Sequence, residues 1–133
     1  MAKYAYPAVF EKEDSGGFSV YFPDLEGCYT QGDDITEAIS NAEDALNLWL
    51  YDLEECGAEI KTPSDIKEIK TNKKEFTTMI ACDTVEYRRY FDNKAVKKTL
   101  TIPNWLNTMS ERSHINFSAV LQKALMEELH IEH

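Results

Sequence analysis

Near the end of the chain Lys97, Thr99 and Thr101 alternate with Val96, Leu100 and Ile102. Successive side chains of a strand point to opposite faces, so the polar trio shares one face and the apolar trio the other. Lysine donates hydrogen bonds to guanine O6 and N7 or to phosphate, and threonine offers a hydroxyl to base edges and a methyl to thymine. The polar face therefore has the chemistry of a surface that reads B-DNA. A few residues on, Asn116 stands where a helix cap belongs. The backbone N–H groups at Asn116, Phe117 and Ser118 would then suit a phosphate. Alternation alone fits the solvent face of an edge strand equally well. The DNA reading gains from the agreement of several local signals: a strand without a partner, a terminating Pro103, a short helix and an Asn-capped second helix.

Other chemistries find less support. Metal-dependent nuclease work needs carboxylates converging on divalent ions. Here Glu11 and Glu13 fall at a strand end, while Asp24, Glu26, Asp33 and Asp34 fall in turns or at a cap. His114, His130 and His133 all lie after residue 93, and Cys28, Cys56 and Cys82 form no CxxC pair. Zinc or nickel ligation needs defined spacing, and a nucleophilic Cys28 needs a histidine close by. No catalytic residue, metal or cofactor is expected. The three cysteines, odd in number and far apart, suit a reducing compartment. With no apolar run near the roughly 18 residues of a membrane span and no long apolar N-terminal stretch, a cytoplasmic location is expected.

The elements that must position these groups are readable from periodicity. Tyr4, Tyr6, Ala8 and Phe10 share a strand face, with Pro7 pointing to an edge or start position. Glu13–Gly17 is a turn leading into Phe18–Phe22, and a third short strand is expected at Cys28–Gln31 between Gly27 and Gly32. Asp34 as N-cap and Glu37 three residues later announce a helix. Its apolar stripe runs Ile35, Ala38, Ile39, Ala42, Ala45, Leu46, Trp49, Leu50, Leu53 and Cys56, and Gly57 ends it. Residues 58–74 read as a polar loop, and Glu75–Cys82 as a fourth strand. Thr84–Asn93 is open between a short helix and a connector. The fold class is α+β: a β-β-β-α-β domain over residues 1–83, a linker over 84–94, and a β-α-α module over 95–133.

In that module a helix is expected over Asn104–Ser113 with Leu106 and Met109 facing inward, and a second after Asn116 through Phe117, Val120, Leu121, Ala124, Leu125 and Leu129. A lone strand with two short helices lacks both a ladder partner and enough apolar area. Two copies supply both, pairing their strands about a two-fold axis with Val96, Leu100 and Ile102 in the ribbon core. Such a ribbon fits the major groove.

The chain's formal charge is −10. Residues 94–133 hold five bases and four acids, a net of +1, against nine bases and twenty acids, a net of −11, in residues 1–93. This polarity suits two modules facing two partners.

The stretches KKTLTIPNWL and INFSAVLQKALMEEL, from Lys97 and Ile115, resemble ribbon-helix-helix DNA-binding modules. The pattern Gly16-Gly17-Phe18, Phe22-Pro23-Asp24-Leu25-Glu26-Gly27-Cys28, Gln31-Gly32-Asp33 and Glu37-Ala38 resembles the HicB antitoxins, whose N-terminal domain has a partial RNase H-like fold. The resemblance implies a type II toxin–antitoxin role. In that role the first domain binds a HicA-like mRNA-cleaving toxin, and the C-terminal module binds the operon's own operator DNA as a homodimer. Exposed strand edges invite further pairing, so a homotetramer of two dimers joined through the first domains stays open. Some HicB proteins end in a helix-turn-helix instead; the strand-proline pattern argues for the ribbon. The alternative is a stand-alone ribbon-helix-helix repressor whose first domain senses a ligand or sets oligomeric state.

Overall fold

The computed structural model describes residues 3–131, so His133 lies outside the described residues. The chain divides into two compact units, Met1–Lys94 and Ala95–His133.

The first unit is a four-stranded antiparallel sheet with a long helix across one face. β1 (Lys3–Lys12), β2 (Phe18–Tyr21), β3 (Tyr29–Gly32) and β4 (Glu75–Asp83) lie in the order β3-β2-β1-β4. The first three strands form a meander, and β4 returns to the free side of β1. Register places Tyr6 opposite Ile80, Tyr4 opposite Cys82 and Phe10 opposite both Phe76 and Val20. The period of two thus puts Tyr6, Phe10, Val20, Ile80 and Cys82 on the face that packs against the helix.

α1 (Ile35–Cys56) begins where Asp34 accepts a 2.8 Å hydrogen bond from the Glu37 N–H. It ends at Gly57, whose φ of 67° is the left-handed conformation that glycine adopts without a Cβ penalty. Ala38, Ala42, Leu46 and Leu50 form its buried stripe, with Ala45, Trp49 and Leu53 partly covered. The expected stripe is wider than the buried one: Ile35, Ile39 and Cys56 at its margins are exposed. Gly32 is required by close approach. A Cβ there would stand 2.6 Å from Ala38 Cα, so β3 and the first turn of α1 meet only because no side chain intervenes.

Two sequence expectations are corrected here, and the segment left open at Thr84–Asn93 is resolved. Cys28 precedes the third strand; its N–H closes a turn onto Leu25 O and its side chain is in the core. Pro7 sits in an interior strand of the sheet. However, β2 pairs only with Val9–Lys12, so at Pro7 the strand has a neighbour on one side alone and a missing N–H is tolerated. Thr84–Phe91 is α2, a helix capped by the Asp83 carboxylate, which accepts from Val85 and Glu86 N–H groups.

The second unit holds α3 (Asn104–Arg112) and α4 (Phe117–Glu128). Both end alike. After α3 the His114 N–H bonds Glu111 O and the Ile115 N–H bonds Ser110 O; after α4 the His130 N–H bonds Glu127 O and the Ile131 N–H bonds Met126 O. This is the Schellman pattern, with histidine at the left-handed position, φ 56° and 58°, where glycine is usual. Residues 95–103 are in no β-ladder, so the strand expected over Val96–Ile102 is not formed by one chain on its own. Nor does the expected interior exist within one chain. No described residue of this unit is buried; Leu106, Met109, Phe117, Val120, Leu121, Leu125 and Leu129 are all exposed.

Candidate functional site

The candidate DNA-facing residues occupy two places in the second unit. Lys97, Thr99 and Thr101 are exposed on the segment that leads into α3, and Val96, Leu100 and Ile102, their alternating neighbours, are exposed with them. Val96 is 91% accessible, which for a valine marks a side chain without a contact surface. Asn116, Phe117 and Ser118 gather at the start of α4. Asn116 Oδ1 accepts a 3.1 Å bond from the Ala119 N–H, and Gln122 Nε2 donates to Ser118 Oγ at 3.1 Å. The Asn116 side chain is thereby committed to capping. Anion-binding capacity rests on the N–H groups of the first turn, which have no partner within a helix.

In the first unit, folding brings together residues that the sequence reading left apart. Asp24 is buried and anchors the polar stretch 58–74: Ser64 donates to it from both its N–H, at 2.9 Å, and its hydroxyl. Tyr6 donates its hydroxyl to Lys61 O in the same stretch. Glu54, with 6% of its side chain exposed, accepts from Tyr4 OH at 2.7 Å, Thr84 Oγ1 at 3.1 Å and Arg88 Nη2 at 3.0 Å. Burial disfavours its charge, but the hydrogen bonds it accepts, those from Tyr4, Arg88 and Thr84 among them, hold its pKa below the usual carboxylate range. The Arg88 guanidinium also bonds Glu55 and lies 4.6 Å over the Tyr51 ring. Tyr51, Tyr87, Phe91 and Tyr90 continue as a chain of ring contacts along α2. Nothing local in the sequence announced that a strand and a helix would close over Glu54.

Both Asp24 oxygens are engaged by Ser64, and Asp34 Oδ1 accepts from the Glu37 N–H. Burial raises the Cys28 thiol to about 11. Burial, aided by the charges of Asp83 and Glu54, takes Cys82 to about 12, so both stay protonated at neutral pH. Among the described residues no group of three or more His, Cys, Asp or Glu side chains is placed to hold a metal ion, and no helix is long and apolar enough to cross a membrane.

An antiparallel sheet backed by one capped helix, followed by a small helical unit in which no described residue is buried, defines a two-part α+β protein. Comparison with known proteins gives it a family. The model of the HicB-like antitoxins of bacterial toxin–antitoxin systems matches residues 6–124, and the chain belongs to that family. It is similar to a chain of a toxin–antitoxin complex from Streptococcus pneumoniae, with 30% identity and a TM-score of 0.61 over 95% of this chain and 99% of that one. The crystal structure of the Burkholderia pseudomallei antitoxin HicB shares the fold at 22% identity and a TM-score of 0.55, over 95% of this chain and 98% of that one. A UPF0150 protein of Synechocystis is 42% identical over 50 residues, a match that spans 38% of this chain and 63% of that protein's length.

Proposed function

We propose that this chain neutralises a HicA-like mRNA-cleaving toxin by binding it directly, and represses its own operon through a dimeric DNA-binding ribbon built from residues 95–131. The observation that carries the second half is that none of the described residues of this unit is buried, while apolar side chains are displayed along its segment and both helices. Helices of 9 and 12 residues are marginal in water unless an apolar face is covered. A second copy covers such faces self-complementarily, and its strand supplies the missing ladder. Lys97, Thr99 and Thr101 then line the outer face of the ribbon, and the first turn of α4 meets phosphate.

The toxin half rests on family membership and on charge. α1 carries six carboxylates and no Lys or Arg, and of the six only Glu54 is substantially covered. An acidic surface of this kind speeds encounter with a basic RNA-binding protein. The chain works as a binder rather than as an enzyme, in the cytoplasm where its target and operator are.

The direct test is co-expression with the neighbouring gene product, with growth as readout and the mass of the complex in solution as control. Rescue of growth and a stable complex are expected; persistent toxicity overturns the assignment. A Lys97/Thr99/Thr101 triple alanine variant is expected to lose specific operator binding, each base contact contributing about 1–3 kcal/mol, while still capturing the toxin. Unchanged operator affinity overturns the ribbon.

A further inference from the structure

The end of α1 and the whole of α2 build a row of aromatic rings that the packing of the first unit leaves open to solvent. Tyr87 and Phe91 stand one helical turn apart, with ring centroids 4.6 Å from each other. Tyr90 meets Phe91 edge-on at 4.7 Å, and Tyr87 reaches across to Tyr51 of α1 at 5.2 Å. The inner end of the row is half-buried and the outer end is not: Tyr90 is 80% and Phe91 67% exposed. A single apolar side chain on a surface is ordinary, whereas contiguous rings in solvent mark a place where a partner sits.

Charge decides which partner. Residues 51–56 and 84–92 carry the five carboxylates Asp52, Glu54, Glu55, Glu86 and Asp92 against Arg88 and Arg89, a net of −3. Asp52, Glu55, Glu86 and Asp92 are exposed. Desolvation raises the Tyr51 pKa, and the charges of Glu55 and Asp92 raise it further, so both carboxylates act on the rings themselves. Arg88 is already bound to Glu54 and Glu55. Stacked rings also form the platforms on which nucleic-acid bases lie, but those platforms line positively charged grooves, and this rim repels phosphate. A second copy of the chain brings the same negative rim against this one. A cationic protein surface satisfies both features, since guanidinium and ammonium groups are drawn to ring faces and to carboxylates alike. One such contact already exists within the chain: the Arg88 guanidinium lies 4.6 Å over the Tyr51 ring while bonded to Glu55.

Resting on the antitoxin reading above, we propose that Tyr90 and Phe91 form the centre of the surface that captures the toxin, and that their rings take up arginine or lysine side chains with which the toxin holds RNA. A nuclease that grips RNA presents cations to the phosphates. Cations stacked on this face and paired with its carboxylates are withdrawn from RNA, so capture and neutralisation are one event.

The test uses the full chain, with the neighbouring gene product as the probe. Tyr90→Ala/Phe91→Ala removes two exposed rings, so Tm is expected to hold while toxin affinity falls at least about thirty-fold, the loss of a central aromatic anchor. Tyr90→Leu/Phe91→Leu keeps apolar area without the ring faces and is expected to recover little of that loss. Asp92→Lys is expected to slow association, more at low salt than at high. Parent-like affinity of the alanine pair overturns this surface and leaves the antitoxin reading standing. Full recovery by the leucine pair overturns the cationic occupant. An alanine pair that sediments, without toxin, at a lower mass than the parent shows that the rings meet a second copy, which overturns the proposal. A parent chain that captures no toxin overturns the antitoxin reading itself, and this surface with it.

Discussion

Glu54 is the polar keystone of the first unit, and its removal gives the sharpest test of how that unit is held together. Its carboxylate draws β1 through Tyr4, α2 through Thr84 and Arg88, and α1, on which it stands, onto one point. Glu54→Ala leaves Tyr4 OH and Thr84 Oγ1 without this acceptor, and leaves a guanidinium with 20% side-chain exposure to the single carboxylate of Glu55. All three hydrogen bonds end on an ionised carboxylate; one bond to a charged group is worth about 1.5–3 kcal/mol net, and bonds that share one acceptor group do not add. Because Arg88 keeps some water and its Tyr51 contact, a loss of about 2–4 kcal/mol is expected, below the about 3–5 kcal/mol of a wholly buried broken pair. Urea unfolding followed by Trp49 fluorescence in a Trp105→Phe background reads this unit, since Trp49 packs on its core. The midpoint should fall at unchanged slope. The pH dependence has a definite sign. The folded pKa lies below the unfolded one, so this stabilisation is present above the unfolded carboxylate pKa of about 4.3 and disappears as pH falls through the folded value. Glu54→Ala and the parent should therefore converge in stability at low pH. A variant with the parent's midpoint at pH 7 refutes the keystone role.

Further outcomes are open to measurement. Gly32→Ala forces a Cβ against the Ala38 backbone and should lower stability by about 1–3 kcal/mol or more, seen as a fall in Tm; an unchanged Tm shows that β3 can withdraw from α1. His114→Gly relieves a left-handed histidine and should stabilise the second unit by about 0.5–1 kcal/mol in thermal melts, because the Cβ penalty there exceeds the entropy that glycine adds to the unfolded chain. Thiol labelling at pH 8 should modify Cys56 rapidly and spare Cys28 and Cys82, whose pKa values of about 11 and 12 and burial leave almost no thiolate; rapid modification of all three under native conditions contradicts that core.

Much of the first unit was legible because its signals are local. The Asp34 cap, the four-residue rhythm of Ala38, Ala42, Leu46 and Leu50, and Gly57 are each set by neighbours in sequence, and α1 runs between them. The alternation of Tyr6, Ala8 and Phe10 likewise matched the covered face of β1. What escaped depends on distant chain segments. Asp24 looked like a turn residue because its partner Ser64 is 40 positions away, and Glu54 meets Tyr4 across 50. The segment Thr84–Phe91 has few apolar residues at helical spacing, and its helix is held by Arg88 on Glu54 and Glu55. In the second unit the helices and the Asn116 cap were visible, since capping is local. The strand expected at Val96–Ile102 is not formed, because a ladder needs a neighbour and residues 95–103 have none within the chain.

The coreless second unit has a kinetic corollary. On the dimer reading proposed above, a segment whose apolar side chains find no shelter within their own chain completes its folding in a bimolecular step, at a rate that grows with the square of chain concentration. Its order then reports abundance: dilute chains expose frayed helices to proteases, and crowded ones protect each other. The left-handed histidines closing both helices make each chain slightly weaker alone, which raises the concentration needed for a given degree of order.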